Sequence, residues 1–149
     1  SNLSVLSTLG IKPPGGCHYP AAGYAEFAKM LQPLIERHLY GKKLPGSLTP
    51  PNLRRAYFPS KEKRDELVLE FDQPVVWDDK LAKQFAFDTK TGEVVGGRVD
   101  GNQLVLRLVE AQDAATISYL DSKAWSQETL LLGTNGMAAL TFYGVRIER

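Results

Sequence analysis

The sequence predicts a mainly β protein: an antiparallel Ig-like β-sandwich preceded by one amphipathic helical segment. From residue 20 to residue 40, apolar residues recur at three- and four-residue steps, and after residue 52 they recur at every second position. Between these regions, residues 41–52 contain three prolines and two glycines, which is typical of a connector. We therefore divide the chain into a helical segment, residues 1–44, and a β domain, residues 45–149.

The helix is predicted from Pro20 to Tyr40. Its apolar positions form one stripe, made of Tyr24, Phe27, Ala28, Leu31, Leu34, Ile35 and Leu39. Pro33 should kink or split the helix because it lacks a backbone N–H, and Gly41 should end it. Such a stripe has to be buried against another layer. It therefore packs either on the β domain or on a sheet that these residues do not encode.

The β domain contains several short segments with the alternation of a half-buried strand. The clearest are residues 66–71 and 103–108, in which every second residue is Leu or Phe. Further candidates are residues 56–58, 84–88, 93–99, 115–120 and 138–145. Asp-Gly at 100–101 predicts a hairpin turn, and Thr-Gly at 91–92 is a second turn signal. Six or seven short strands separated by turns favour an antiparallel sandwich.

Composition and charge exclude several classes of function. The net charge is +1 and the Lys and Arg residues are scattered, so we predict no nucleic-acid partner. The apolar runs are far shorter than the roughly 18 residues of a membrane span, so we predict no membrane partner. The single cysteine, Cys17, excludes an internal disulfide and a multi-thiolate metal site. We expect its side chain to be small and buried, and we predict no metal and no cofactor.

A histidine lies in a tight turn directly before the predicted helix, in the stretch GGCHYPAAGY at residues 15–24. Histidine can act as a general base near neutral pH, but the spacing alone is equally typical of a solvent-facing turn residue. His18 therefore has two interpretations at this point. The second histidine, His38, lies near the predicted helix C-terminus, where it interacts favourably with the helix dipole. We expect no chemical role for it.

Aromatic and acidic side chains of the β domain give two further candidate sites. Three aromatic residues could form a platform for a sugar ring or could instead fill the core; they are Trp77, Trp125 and Tyr119. Four aspartates could serve as acid and base or bind calcium; they are Asp72, Asp78, Asp79 and Asp88. Aspartate is common in turns because it hydrogen-bonds the local backbone, and we expect that role here.

The stretch GGCHYPAAGYAEFAKMLQPLI, residues 15–35, resembles the last conserved block of SGNH (GDSL-like) hydrolases, in particular carbohydrate esterases of the sialate O-acetylesterase type. The stretches LTPPNLRRAYF, LEFDQPVVWDD, ISYLDSKAWSQ and GMAALTFYGV resemble the β domain that follows the catalytic domain in some of these proteins. The resemblance covers nearly the whole chain. It implies that residues 1–44 are the C-terminal helical segment of an α/β hydrolase-type catalytic domain, whose remainder is the expected partner.

The resemblance also implies a chemistry. In that family a serine attacks the ester carbonyl, a histidine accepts the serine proton, and an aspartate three residues before the histidine orients it. His18 matches the base, whereas Gly15 occupies the position of the aspartate. The sequence has no GDS-like segment and no counterpart of the glycine and asparagine blocks that complete the oxyanion hole.

The resemblance therefore implies the C-terminal part of a carbohydrate esterase that deacetylates O-acetylated sugars and is inactive as this chain alone. The chain starts with Ser1, so we expect the natural N-terminus to lie further upstream. Export or a periplasmic location is expected by the same resemblance. The alternative is a non-catalytic β-sandwich module that binds a glycan or serves as a scaffold. A third possibility is that a separate chain supplies the serine-bearing part.

Overall fold

The computed structural model describes residues 3–120 and 126–148. Within them, one α-helix, α1 (Ala21–His38), precedes a domain of ten strands and one 3-10 helix. The strands are β1 (Leu53–Tyr57), β2 (Glu66–Phe71), β3 (Val75–Val76), β4 (Phe85–Phe87), β5 (Lys90–Thr91), β6 (Val94–Asp100), β7 (Gln103–Leu108), β8 (Thr116–Tyr119), β9 (Leu132–Gly133) and β10 (Phe142–Glu148). The 3-10 helix, Asp79–Gln84, connects β3 to β4. The predicted mainly β fold is confirmed.

Eight strands form one sheet in the order β5-β4-β8-β10-β1-β2-β7-β6, and β3 pairs with β9 apart from it. All neighbouring strands of the large sheet are antiparallel except β1 and β10. These two run parallel and pair Ala56 with Ile147 and Tyr57 with Glu148. The parallel pair joins two four-stranded antiparallel halves. The eight strands therefore form one continuous sheet, whereas a sandwich would have two separate sheets.

Side chains from both halves of the sheet share one core. The strands predicted at β2 and β7 are found, and Leu67, Leu69, Leu104 and Leu106 are fully buried. The intervening Val68 and Val105 are buried as well, so the predicted alternation of buried and exposed positions holds only in part. The same buried cluster includes side chains of β4, β8 and β10, which belong to the other half; these are Phe85, Phe87, Ile117, Tyr119 and Ile147. The sheet therefore curls around a single apolar interior.

Trp77 lies between β6, at one end of the sheet, and β4, the second strand from the other end. We call this contact region, together with the 3-10 helix, the seam. A Cβ added at Gly97 of β6 would lie only 2.8 Å from the Trp77 ring. On its other side Trp77 approaches Phe85 of β4, with 6.1 Å between the ring centroids. The indole N–H donates to Asp79 Oδ1 at 2.7 Å, which fixes the ring. A side chain thus joins strands that share no hydrogen bonds.

Two hairpins of the sheet are closed by tight two-residue turns. The turn predicted at 100–101 is confirmed, because Gly101, with a φ of +59°, and Asn102 connect β6 to β7. The other turn lies before residues 91–92: Asp88 and Thr89, with φ values of +44° and +76°, connect β4 to β5. Glycine is the usual residue for a positive φ, and here side-chain hydrogen bonds of Asp88 stabilise the turn instead.

The helix α1 runs without a break from Ala21 to His38, so Pro33 does not split it. Gly41, with a φ of +65°, follows its C-terminal end as predicted. The N–H of Lys42 donates to the carbonyl of Glu36 at 3.0 Å and so satisfies one of the terminal carbonyls. Among the described residues, no helix has both the length and the apolarity needed to cross a membrane.

The apolar stripe of α1 divides into a covered face and an open face. On the covered face, Leu34 is buried and Phe27 is half-buried. The open face consists of Tyr24, Leu31, Ile35 and Leu39, which are between 37% and 77% exposed. The described residues of the β domain therefore leave the open face largely exposed.

Candidate functional site

The histidine turn, residues 13–20, is tied to the segments on either side of it through Tyr19. The Tyr19 hydroxyl donates to the carbonyl of Thr8 at 3.0 Å, and its ring meets Tyr24 of α1 edge-on at 5.9 Å. Gly23 provides the space for this ring, since a Cβ there would lie 2.9 Å from Cδ1 of Tyr19. Tyr19 therefore fixes the helix side of the turn.

His18 is exposed, and within the described residues its ring has no hydrogen-bond partner. A general base needs a group on its second ring nitrogen to fix its tautomer, and this arrangement does not provide one. Cys17 is exposed as well, so the prediction of a buried thiol is wrong. The reason is that residues 12–18 are all exposed, which leaves the turn no interior.

Gly15, at the position where the resemblance places an aspartate, is closely packed against the backbone. An added Cβ would clash with the carbonyl oxygen of His18 and would lie 2.8 Å from Cα of Tyr19. Backbone atoms cannot move aside by a rotamer change. In this conformation of the turn, position 15 therefore has no room for a carboxylate side chain.

Gly15→Asp is expected to displace the histidine turn rather than to create an aspartate–histidine pair. We expect large shifts of the backbone NMR signals of residues 15–19, because the added Cβ forces His18 and Tyr19 to move. Gly16→Asp is the matched control, since a Cβ there meets no atom within 4 Å. A carboxylate–imidazole hydrogen bond in Gly15→Asp, with the signals of Tyr19 unmoved, would contradict this expectation.

His38 lies at the C-terminal end of α1, as predicted, and its Nε2 is 3.5 Å from Oγ of Ser4. The helix α1 separates the turn that carries His18 from His38, and at 1.5 Å per residue it is roughly 26 Å long. His18 and His38 therefore do not belong to one site. The contact instead brings the N-terminal segment alongside the far end of α1.

Of the three aromatic candidates, Tyr119 is a core residue. It is 1% exposed, and its ring lies between Phe85 and Phe142 at centroid distances of 5.1 and 5.7 Å. The prediction of Tyr119 as a sugar contact is therefore wrong, because β8 turns this side chain into the curled sheet. Trp77 is half-buried in the seam and fills the core edge. Trp125 lies outside the described residues and stays a prediction.

The local backbone hydrogen bond predicted for the four aspartates is found only at Asp78. Asp72 and Asp88 instead accept from backbone N–H groups of distant segments, and Asp79 accepts from the indole of Trp77. Asp72 accepts the N–H of Asn52 at 2.9 Å, and Asp78 caps the 3-10 helix by accepting the N–H of Lys80 at 2.9 Å. Asp88 accepts the N–H groups of Ala115 and Thr116, at 3.0 and 2.8 Å. These hydrogen bonds stabilise the ionised carboxylate and so lower the pKa of Asp88 below its usual value of 3.8. The hydrogen bond from the N–H of Ala115 has the largest effect. The carboxylates are thus engaged in turns.

The described residues contain no cluster of His, Cys, Asp and Glu side chains that could hold a metal ion. The histidine turn, the aspartate turns and the helix end are separate places in the fold. Nothing in the described ranges therefore brings His18 together with an acidic partner.

A groove of about 630 Å³ lies between the N-terminal segment, α1 and residues 127–138. Its walls combine polar and apolar groups, and the apolar side chains include Leu9, Met30, Leu130 and Met137. Two exposed ion pairs line it, Lys12–Glu128 and Lys29–Glu26, with N–O distances of 2.7 and 2.6 Å. No local sequence pattern indicates this groove, because its walls come from three distant segments.

No protein-family model matches the chain, and no curated protein matches it. Among solved structures, the fold is similar to the crystal structure of a novel carbohydrate acetylesterase from Xanthomonas citri, with a TM-score of 0.61 and 17% sequence identity. The match covers 89% of this chain but 30% of that one, so this chain spans less than a third of the length of the esterase. At this identity the comparison establishes a shared fold.

Proposed function

We propose that this chain is the C-terminal part of a carbohydrate esterase, in which residues 1–44 complete the catalytic domain and the β domain is an accessory domain. The observation that carries the proposal is the structural similarity to a carbohydrate acetylesterase over 89% of this chain. A match of that extent includes part of the helical segment as well as the β domain. We place the parent enzyme in the SGNH class and its substrates among O-acetylated sugars.

In the parent enzyme, His18 is the general base. It accepts the proton of a serine hydroxyl as the oxygen attacks the acetyl carbonyl, and it returns that proton to the sugar oxygen that leaves. The serine and the oxyanion-hole donors belong to the remainder of the catalytic domain. This chain alone contributes an imidazole but no nucleophile that it could activate.

The open face of α1 supports a partner of this kind. Its four residues, from Tyr24 to Leu39, are exposed apolar side chains that a neighbouring layer would bury. The N-terminal segment lies along the same helix, since Ser4 contacts His38 and Thr8 contacts Tyr19. Within the described residues, the backbone groups of residues 4–7 make no hydrogen bonds. They are available to pair with a strand of the remaining catalytic domain.

Ester hydrolysis tests the proposal. We expect this chain alone not to hydrolyse p-nitrophenyl acetate, and His18→Ala to change nothing, because no activated serine is present. Fused to or expressed with the segment encoded upstream of Leu3, the chain should become active. His18→Ala should then reduce turnover by roughly 10⁶-fold, the loss seen when a triad histidine is removed. His38→Ala is the control and should leave turnover unchanged.

Two outcomes would contradict the proposal. One is turnover by this chain alone that His18→Ala abolishes. The other is an upstream segment that carries no serine-bearing catalytic region, together with no separate chain that copurifies and supplies one. The fusion and the copurification together also distinguish a single-chain parent from a two-chain one.

Gly15 favours a second candidate function, a non-catalytic β module, because the orienting carboxylate has no room at that position. In this alternative the histidine turn has no catalytic role. Calorimetry with acetylated xylan and sialosides distinguishes the two versions of such a module. Binding that is lost in Trp125→Ala supports a glycan-binding module, and no binding supports a scaffold.

A further inference from the structure

We propose that the β domain positions the histidine turn, and that Gln127 and Glu128 are the positioning residues. The catalytic meaning of this inference rests on the proposed function, in which His18 is the base. The contacts themselves do not depend on that activity. They give the β domain a role in placing His18 and not only in supporting or binding a glycan.

Two side chains of the β domain hold the segment that leads into the turn. Gln127 Oε1 accepts the N–H of Gly10 at 2.6 Å, and Glu128 Oε2 accepts from Nζ of Lys12 at 2.7 Å. Between these two contacts, Ile11 is 3% exposed. Three consecutive residues are therefore fixed immediately before the turn begins.

Gln127 and Glu128 are themselves held by the core. The N–H of Glu128 donates to Oγ of Ser126 at 3.1 Å, which shapes the short turn that carries both side chains. Three residues later, the N–H of Leu131 donates to the buried hydroxyl of Tyr119 at 2.7 Å. A connected series of contacts therefore runs from the interior of the sheet to the segment before the histidine turn.

The position of the imidazole depends on the two ends of its turn. Residues 12–18 are exposed, and the His18 ring has no hydrogen-bond partner among the described residues. One end is fixed on α1 by Tyr19, and the other is fixed on the β domain by Gln127 and Glu128. A general base must lie within about 3 Å of the proton that it accepts, and a displacement of about 1 Å can cost roughly 10²-fold in rate.

The ion pair between Lys12 and Glu128 is exposed, and this exposure distinguishes a positioning role of the pair from a general stabilising role. The side chains of Lys12 and Glu128 are 55% and 73% exposed, and such pairs contribute little to global stability. Removal of the pair should therefore loosen the turn while the sheet stays intact. A general loss of structure would not have this pattern.

Backbone NMR relaxation of the chain tests the inference. In Gln127→Ala, we expect lower order parameters for residues 15–19 and about two- to tenfold faster amide exchange of Gly10, the factor that corresponds to one lost hydrogen bond. The signals of β2 and β7 should not move. Glu26→Gln is the matched control, because Glu26 forms the same kind of exposed ion pair with Lys29 but within α1. It should leave the turn unchanged.

Charge reversal adds a rescue. Lys12→Glu and Glu128→Lys should each lower the order parameters of the turn, and the double variant should restore them. Unchanged order parameters in Gln127→Ala and in both charge reversals would overturn the inference, as would equal loosening of the turn and of β2.

In the active fusion, Gln127→Ala should lower kcat by roughly 10²-fold and leave KM unchanged. If Gln127→Ala loosens the turn but the fusion with wild-type Gln127 is inactive, the positioning inference stands and the proposed function fails. If the fusion is active but Gln127→Ala changes neither kcat nor the order parameters of the turn, the proposed function stands and the positioning inference fails.

Discussion

Trp77→Ala is expected to lower the free energy of unfolding by about 2–3 kcal/mol. Loss of a buried Phe or Trp typically costs about 3–5 kcal/mol, and Trp77 is half-buried. The loss arises at the seam, where the ring fills the space between Gly97 and Phe85. Urea unfolding followed by far-UV circular dichroism measures it. Val76→Ala is the neighbouring control: Val76 is 52% exposed, and its loss should stay within about 0.5 kcal/mol.

A double-mutant cycle with Gly97→Ala tests the same contact. In the wild type, the added methyl lies 2.8 Å from the indole and should cost about 1–3 kcal/mol through overpacking. In the Trp77→Ala background the clash is gone, so the cost should be much smaller and the two effects should not add. Additive losses would contradict the shared space of Trp77 and Gly97.

Tyr119→Phe is expected to cost about 1–3 kcal/mol near neutral pH. The change removes the hydroxyl that accepts the N–H of Leu131 and leaves this buried donor without a partner. Thermal and urea unfolding measure the loss. Tyr143→Phe is the control, because Tyr143 is 83% exposed and its substitution should change stability by less than about 0.5 kcal/mol. Equal stability of both variants would show that the hydrogen bond to Leu131 contributes nothing.

The cost of Tyr119→Phe should shrink at high pH. Burial raises the pKa of Tyr119 to about 12, while the hydrogen bond from Leu131 acts in the opposite direction. A raised pKa in the folded state means that the neutral phenol contributes stability that is complete below about pH 10, the usual pKa of tyrosine. This contribution is lost as the pH rises through 12. Tyr119→Phe has no such loss, so its free energy of unfolding should approach that of the wild type as the pH rises. A difference in free energy of unfolding that stays constant between pH 8 and pH 11 would contradict the burial of Tyr119.

Local periodicity predicted the strands whose apolar side chains fill the core. It missed the strands that are too short to show an alternating pattern. Residues 66–71 and 103–108 are strands with the predicted bounds, because their alternating Leu and Phe side chains are the centre of the core. The two-residue strands β3, β5 and β9 are too short to show any alternation. The parallel pairing of β1 with β10 joins segments that are some 90 residues apart, and no local pattern encodes it.

The candidate site was predictable only in part, because its contacts are long-range. The turn that carries His18 follows from its glycines and its place before a helix. The contacts of Gly10 and Lys12 with the β domain span 117 and 116 positions along the chain, and no motif marks them. Residue type also does not fix exposure: Tyr119 is buried and Tyr143 is at the surface.

The seam has a consequence for the behaviour of the protein in concentrated solution. Because an indole ring and not a strand lies beside it, β6 pairs with a strand on one side only among the described residues. Val95 and Val99 on this edge strand are 48% and 37% exposed. An exposed edge strand can pair with an edge strand of another molecule, and such pairing leads to aggregation. The charged side chains of Arg98 and Asp100 on the same strand oppose such growth, so neutral substitutions at these two positions would make the protein less soluble.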